Sequence, residues 1–276
     1  MINIGNIGIT NIFLGSTQVS KAYLGNIQVW PVEPWVTFKA LQNSSSIGLN
    51  RLSSHQSLEY SQDKINWSTF DTTVTVNLDQ DDEVYIRGVL SGNNTTTDYT
   101  RFTMTGLIAA SGNCNYLWNY SNPNAPLKEL CGDHMFEGCS SLITAPELPA
   151  MNLVYSCYGS MFSGCSSLIT APELPATTLA VGCYAAMFEG CSSLTNAPDL
   201  NANSLVTACY NRMFENCTPL NHIKCLASTG IGVNNSTTYW LRGVSPTGTF
   251  LTPDSSIWSS GESGIPTNWT IVPLQS

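Results

Sequence analysis

Cys131-Gly132-Asp133-His134 sets a thiol, a carboxylate and an imidazole within one short stretch, the three groups of a nucleophilic triad. Nearness along the chain is not a triad, which requires the base to stand between nucleophile and orienting acid in space. The other cysteines at the phase of Cys131 have no neighbouring histidine, and the remaining histidines, His55 and His222, lie far away in sequence. No phosphate-cradling glycine loop, His-Glu-x-x-His or paired-carboxylate motif is present. A glycosidase can carry its two acids without a motif, but nothing else points to an enzyme. The expectation is a non-enzyme with no catalytic residue, no cofactor and no resident metal.

The chain has 10 cysteines, and eight of them keep a 26-residue step in two ladders. One is Cys131, Cys157, Cys183 and Cys209; the other is Cys139, Cys165, Cys191 and Cys217. Zinc sites want close pairs such as Cys-x₂₋₄-Cys, and these spacings are wider. Cys131 and Cys139 would pair as a disulfide if their Cα atoms came within about 7 Å. The repeat-locked phase favours small apolar side chains filling one layer as buried free thiols. Glu147, Glu173 and Asp199 keep the same step. Such a column is either a solvated stripe or a surface for a cation or a basic partner, and we take these residues, with Trp240 and Trp258, as the candidate binding surface. The acidic run Asp79–Glu83 lacks the spacing of a calcium loop and reads as a solvated hairpin tip.

These side chains belong to a 26-residue unit, Met-Phe-x-x-Cys-[Ser/Thr]-x-Leu, anchored at Met135-Phe136, Met161-Phe162, Met187-Phe188 and Met213-Phe214. Units run over 127–152, 153–178, 179–204 and 205–230, more than the roughly three that a stable stack needs. Leu179, Cys183 and Met187 fall at i, i+4 and i+8, the face of a helix. Thr177 or Thr178 would cap its start and Gly190 its end. A short strand over 194–200 would follow, with Pro198 at an edge. The last unit departs from the pattern at Asn216, Pro219 and Lys224-Cys225, as terminal caps do, and residues 231–274 complete that cap.

Two β-rich regions precede the repeats. Over 1–30, Gly5-Asn6, Gly15-Ser16 and Gly25-Asn26 recur every ten residues between β-rich runs, which is two-residue hairpin chemistry. Thirty residues cannot form a core alone. Residues 1–34 either pack as a hairpin on the chain or form an anchor and oligomerisation segment, with Phe13, Tyr23 and Trp30 as its candidate contacts. Over 35–108, Leu58/Tyr60, Val74/Val76/Leu78, Val84/Ile86 and Phe102/Met104 alternate with polar residues, predicting a small Ig-like β-sandwich. Trp67 and Phe70 are expected in its core; an exposed Trp67 stacking on a sugar is the alternative.

Charged residues make up only 11% of the chain and the net charge is −9, which argues against phosphate-backbone or anionic-membrane binding. No apolar run is long enough to span a bilayer, and the first residues do not read as a signal peptide. A hydroxyl- and amide-rich surface without a leader suggests a virion protein assembled in the host cytoplasm; a cell-surface protein with its leader removed is the alternative.

Resemblance sharpens this. The run Phe13–Trp30 resembles the Y-L-G-x-x-x-V repeats of phage tail-fibre proteins. Met-Phe-x-x-Cys-Ser-Ser-Leu, with Ala-Pro-Glu-Leu-Pro-Ala-Thr-Thr-Leu at 171–179, resembles BspA-like leucine-rich repeats of Bacteroidales and their phages. The resemblance implies an α/β plus β fold: a short N-terminal β-meander, a β-sandwich, and an α/β leucine-rich-repeat solenoid with a C-terminal cap over 109–276. It implies a virion structural protein, a homotrimeric tail or head fibre, held to other virion proteins through 1–34 and attaching to a host-surface glycan or protein. A bacterial adhesin or a carbohydrate-binding module is the alternative.

Overall fold

The computed structural model describes residues 33–274 and, ahead of them, the backbone of four short strands. Those are β1 (Phe13–Leu14) paired with β2 (Thr17–Gln18), and β3 (Ala22–Leu24) paired with β4 (Ile27–Trp30), both antiparallel. They bracket Gly15-Ser16 and Gly25-Asn26, where hairpins were expected. The hairpin expected at Gly5-Asn6 lies outside the described residues, as do the side chains of Phe13, Tyr23 and Trp30. The chain divides into two compact units, 1–34 and 35–276.

In the second unit, alternation of apolar and polar residues builds a two-sheet sandwich, as strands with one buried face must. One sheet contains β5 (Val36–Ala40), β7 (Gln56–Ser61), β8 (Ser68–Thr69), β10 (Glu83–Leu90) and β12 (Ile108–Ser111). The other orders β11 (Arg101–Thr105), β6 (Ser45–Arg51) and β9 (Thr75–Leu78). Phe38 of β5 and Phe102 of β11 meet between the sheets at 5.7 Å, with Phe70 beside them. Trp67 does not share that core. It lies partly exposed under the Arg87 guanidinium, 3.8 Å from its ring centre. Residues 79–82 form the turn between β9 and β10, and Glu83 opens β10.

The sandwich does not end at residue 108. β12 pairs with β5 on one side and, in parallel, with β13 (Leu142–Thr144) of the first repeat on the other. Phe102 and Ile108 donate backbone hydrogen bonds to Met135 and Ser141, and Cys114 to Glu147. The expected boundary at 108/109 thus meets a continuous sheet, and the sandwich supplies the first rung on which the repeats stack.

The expected α/β leucine-rich-repeat solenoid is not what forms. The chain is sheet-rich, and among the described residues there is no α-helix, only three 3₁₀ turns. Where a helix was expected, every fourth residue is left-handed: Leu130, His134 and Gly138; Ser156, Ser160 and Gly164; Gly182, Ala186 and Gly190; Ala208, Arg212 and Asn216. Each such residue breaks right-handed helical hydrogen bonding and turns its peptide sideways. Alternate N–H groups close four-residue turns, as Met187 to Tyr184, while the others reach the neighbouring unit, as Phe188 to Met213 and Ala186 to Asn211. The expected 194–200 strand is reduced to single bridges at Asn196 and Leu200.

Units nevertheless pile in register. Met135, Phe136 and Leu142 and their equivalents in the other units are fully buried, and both cysteine ladders lie inside. Phe136, Phe162, Phe188 and Phe214 form one column with ring centres 5.6–5.7 Å apart and planes within 7°. A second column, unanticipated, runs Trp118, Tyr158, Tyr184, Tyr210, Trp240, Trp258. The far end is closed by a parallel sheet of β14 (His222–Lys224), β15 (Gly248–Thr252) and β16 (Trp269–Pro273).

Candidate attachment surface

Interior positions repeat one residue type, so differences among units concentrate on the outside. Tyr155, Val181 and Val233 share one phase and are 47%, 43% and 56% exposed, with Thr207 between them also exposed. Backbone bonds from Leu130 to Tyr155, Ser156 to Val181 and Gly182 to Thr207 hold the column in line. Thr144, Thr170 and Asn196 are joined by successive parallel bridges and form a second exposed column. These columns present hydroxyls, an amide and isolated apolar groups, a surface suited to hydrogen bonding and van der Waals contact with an uncharged partner.

Glu147, Glu173 and Asp199 do occupy the same step on the outside, with Glu147 and Glu173 exposed. Asp199 is not a free carboxylate: Lys224 Nζ stands 2.5 Å from its Oδ2. The sequence departure Lys224-Cys225 in the last unit therefore supplies the counter-charge. No group of three or more metal-ligating side chains occurs among the described residues.

Trp240 and Trp258 are not surface residues. Both are buried, Trp240 completely, and they stack on each other at 5.4 Å. Trp240 Nε1 donates to the Gly264 carbonyl and Trp258 Nε1 to Thr252 Oγ1. Burying a large aromatic with its N–H satisfied is how an indole seals the end of a stack.

All ten cysteines are buried free thiols. Cys165, Cys191 and Cys217 donate to the carbonyls of Phe136, Phe162 and Phe188 at 3.0–3.1 Å, one hydrogen bond per step. Burial pushes Cys139, Cys157 and Cys191 up to about 12. Such thiols are poor nucleophiles, because the thiolate is the reactive species. Cys131 donates to the Cys157 carbonyl, so it does not serve His134. His134 faces Glu137 and Asp133 at 3.2 and 3.6 Å and packs on Tyr99.

Sequence spacing gave no sign of two clusters. Ser54, His55 and Asp98 meet near the sandwich edge, but His55 Nδ1 faces both Ser54 Oγ (3.3 Å) and Asp98 Oδ2 (3.4 Å), while Ser54 donates directly to Asp98. A triad uses opposite ring nitrogens; this is a clamp between loops. Near the far end, buried Glu215 accepts from Arg242 and lies 3.1 Å from Arg212. That pairing compensates a desolvated carboxylate.

The chain matches no family, no curated protein and no solved structure with which it was compared. Its functional reading rests on its own residues and geometry.

Proposed function

We propose that the protein is a virion structural protein, a fibre or appendage whose repeat stack is presented to the host surface for attachment. One observation carries the reading: the units stack with invariant interiors and variable, hydroxyl-rich exteriors. Such an object tolerates change at exposed positions without losing its shape, which suits recognition. The N-terminal segment, a compact unit by itself, is assigned to anchoring on other virion proteins and to assembly as a homotrimer. The 11% charge content supports an attachment partner that is not a polyanion.

The deciding experiment is mass spectrometry of purified particles, which should find this chain at fixed stoichiometry. Its absence from particles, with recovery from bacterial envelopes instead, would replace the virion by a cell-surface adhesin. Light scattering tests the anchor: the full chain should be an oligomer and a chain beginning at Trp35 a monomer. Equal masses per chain would remove that role from residues 1–34.

A further inference from the structure

The segment from Asn113 to Lys128 joins the sandwich to the first repeat, and it is firmly fastened. Asn113 Oδ1 accepts from the Asn115 N–H at 2.8 Å, capping a 3₁₀ turn over Cys114–Leu117. Leu90 N–H donates to the Trp118 carbonyl and Tyr120 N–H to that of Gly88, at 2.7 and 3.1 Å. Gln56 Nε2 donates to the Leu117 carbonyl at 2.9 Å. Gly88 is required for this docking, since a Cβ there would stand 2.6 Å from the Leu117 oxygen. The return stretch is tied down by Asn115 Nδ2, which donates to the Pro123 carbonyl at 2.8 Å.

Between turn and return lies a cavity of about 350 Å³, walled by Leu90, Trp118 and Pro126. A second, of about 330 Å³, adjoins it, sharing Asn115 and Ala125 and reaching Met151 of the first repeat. Both fall at the lower end of the roughly 300–1,000 Å³ of small-ligand sites. Two polar atoms of the lining residues have no hydrogen-bond partner: the Asn115 Oδ1 acceptor and the Trp118 Nε1 donor. Their residues are only 9% and 4% exposed. Six asparagines line the two cavities together, and Lys128 is the only ionisable lining residue.

We propose that this double cavity binds a pyranose unit of a surface polysaccharide, neutral or carrying one carboxylate. A sugar hydroxyl donates and accepts at once, as do the amides of the asparagines that line both cavities. Amide side chains pair with vicinal hydroxyls, and the C–H face of the ring suits the Leu90 and Pro126 wall. The lining has no acid to hold a metal ion, and one lysine matches one carboxylate. Two adjoining cavities accommodate consecutive units. The inference rests on the attachment reading and names the chemical class of the receptor.

Saturation-transfer NMR and calorimetry on the full chain, with methyl hexopyranosides and methyl hexuronides, test it. At least one glycoside should bind, and Ala125→Phe, which fills the space shared by both cavities, should weaken it tenfold or more. Asn122→Ala, at an exposed rim position, should weaken it severalfold, and it serves as the readout if Ala125→Phe fails to fold. Lys128→Ala should weaken hexuronides more than it weakens neutral glycosides. Binding of no glycoside, or binding indifferent to both cavity variants, overturns the site. Adsorption of the full chain to host cells is scored separately. Adsorption without glycoside binding refutes the cavity and leaves the attachment reading standing. Cavity-dependent binding without adsorption supports the cavity and removes the attachment role.

Discussion

Asp133 sits buried where the first unit begins, and desolvation raises its carboxyl from the usual carboxylate range to about 6, with Glu137 adding to the rise and His134 opposing it. The native state thus holds a proton on Asp133 that the unfolded chain has already released between about pH 4 and 6. Stability must fall as pH rises through that window, because the folded form binds more protons there. Asp133→Asn removes the penalty. Urea unfolding should find the variant more stable by about 3 kcal/mol at pH 7.5, from the rule of ~1.4 kcal/mol per pKa unit, and equal to wild type at pH 4. Equal stabilities at pH 7.5 would mean the carboxylate is better solvated than its position indicates. The thiols make a second prediction at this scale. Burial raises Cys225 to about 12 and Cys209 to about 11, so folding is indifferent to thiol ionisation below about pH 8.5 and is opposed above it. Native protein at pH 8 should leave all 10 cysteines unalkylated by iodoacetamide, and urea should expose all 10. Stability should then decline from about pH 9 upward. Rapid native labelling of either ladder would contradict its placement.

At the scale of elements, the turn stretches explain why a helix was expected and does not form. Leu179, Cys183 and Met187 recur every four residues, and a run of four-residue turns yields that spacing as readily as a helix does. Hydrophobic spacing alone cannot separate the two. Glycine could have, in part: Gly138, Gly164 and Gly190 mark one left-handed column, but serine, alanine, arginine and histidine occupy others at φ of 47–56°. Those residues leave no signature of left-handed backbone, so the pattern stayed hidden while the period was plain. Alternation exposed the sandwich strands at Leu58, Val76, Val84 and Phe102 because one face of each is buried. Trp240 and Trp258 were misplaced because composition cannot tell an aromatic that seals a stack from one that meets a ligand, and the acidic column was legible but its Lys224 partner was not. A paired substitution tests the backbone. Ala186 has φ of 52°, so Ala186→Gly should stabilise by about 1 kcal/mol, whereas the same change in an α-helix would cost about as much. Gly190→Ala, at φ of 73°, should destabilise by roughly 1–2 kcal/mol. Opposite signs in urea unfolding support consecutive turns; a loss in Ala186→Gly would restore the helix.

For the whole molecule, the two ends of the stack are unlike each other and the middle is nearly uniform. Phe102 and Trp118 begin the two aromatic columns at the sandwich, and Trp240 with Phe250 and Trp258 closes the far end. Between them the units present nearly the same groups to both neighbours, the first carrying Gly132 where the next three carry Tyr158, Tyr184 and Tyr210. Stability in such an array approximates a sum of unit terms and nearest-neighbour interfaces. Removing residues 179–204, one full 26-residue period, would bring Phe214 onto Phe162 and Tyr210 onto Tyr158. The Cys217 thiol would then find the Phe162 carbonyl, the acceptor that Cys191 uses in the intact chain. The shortened chain should fold, unfold cooperatively and melt somewhat lower, having lost one unit and one interface. Removing only residues 179–191, half a period, would set Asn196 and Ala197 against Cys157 and Tyr158 and break every inter-unit hydrogen bond at the junction. That chain should be insoluble or expose its apolar surface to a hydrophobic dye. If the full-period deletion failed as the half-period one does, the units would not be interchangeable, and the exposed columns could not vary independently of the frame that carries them.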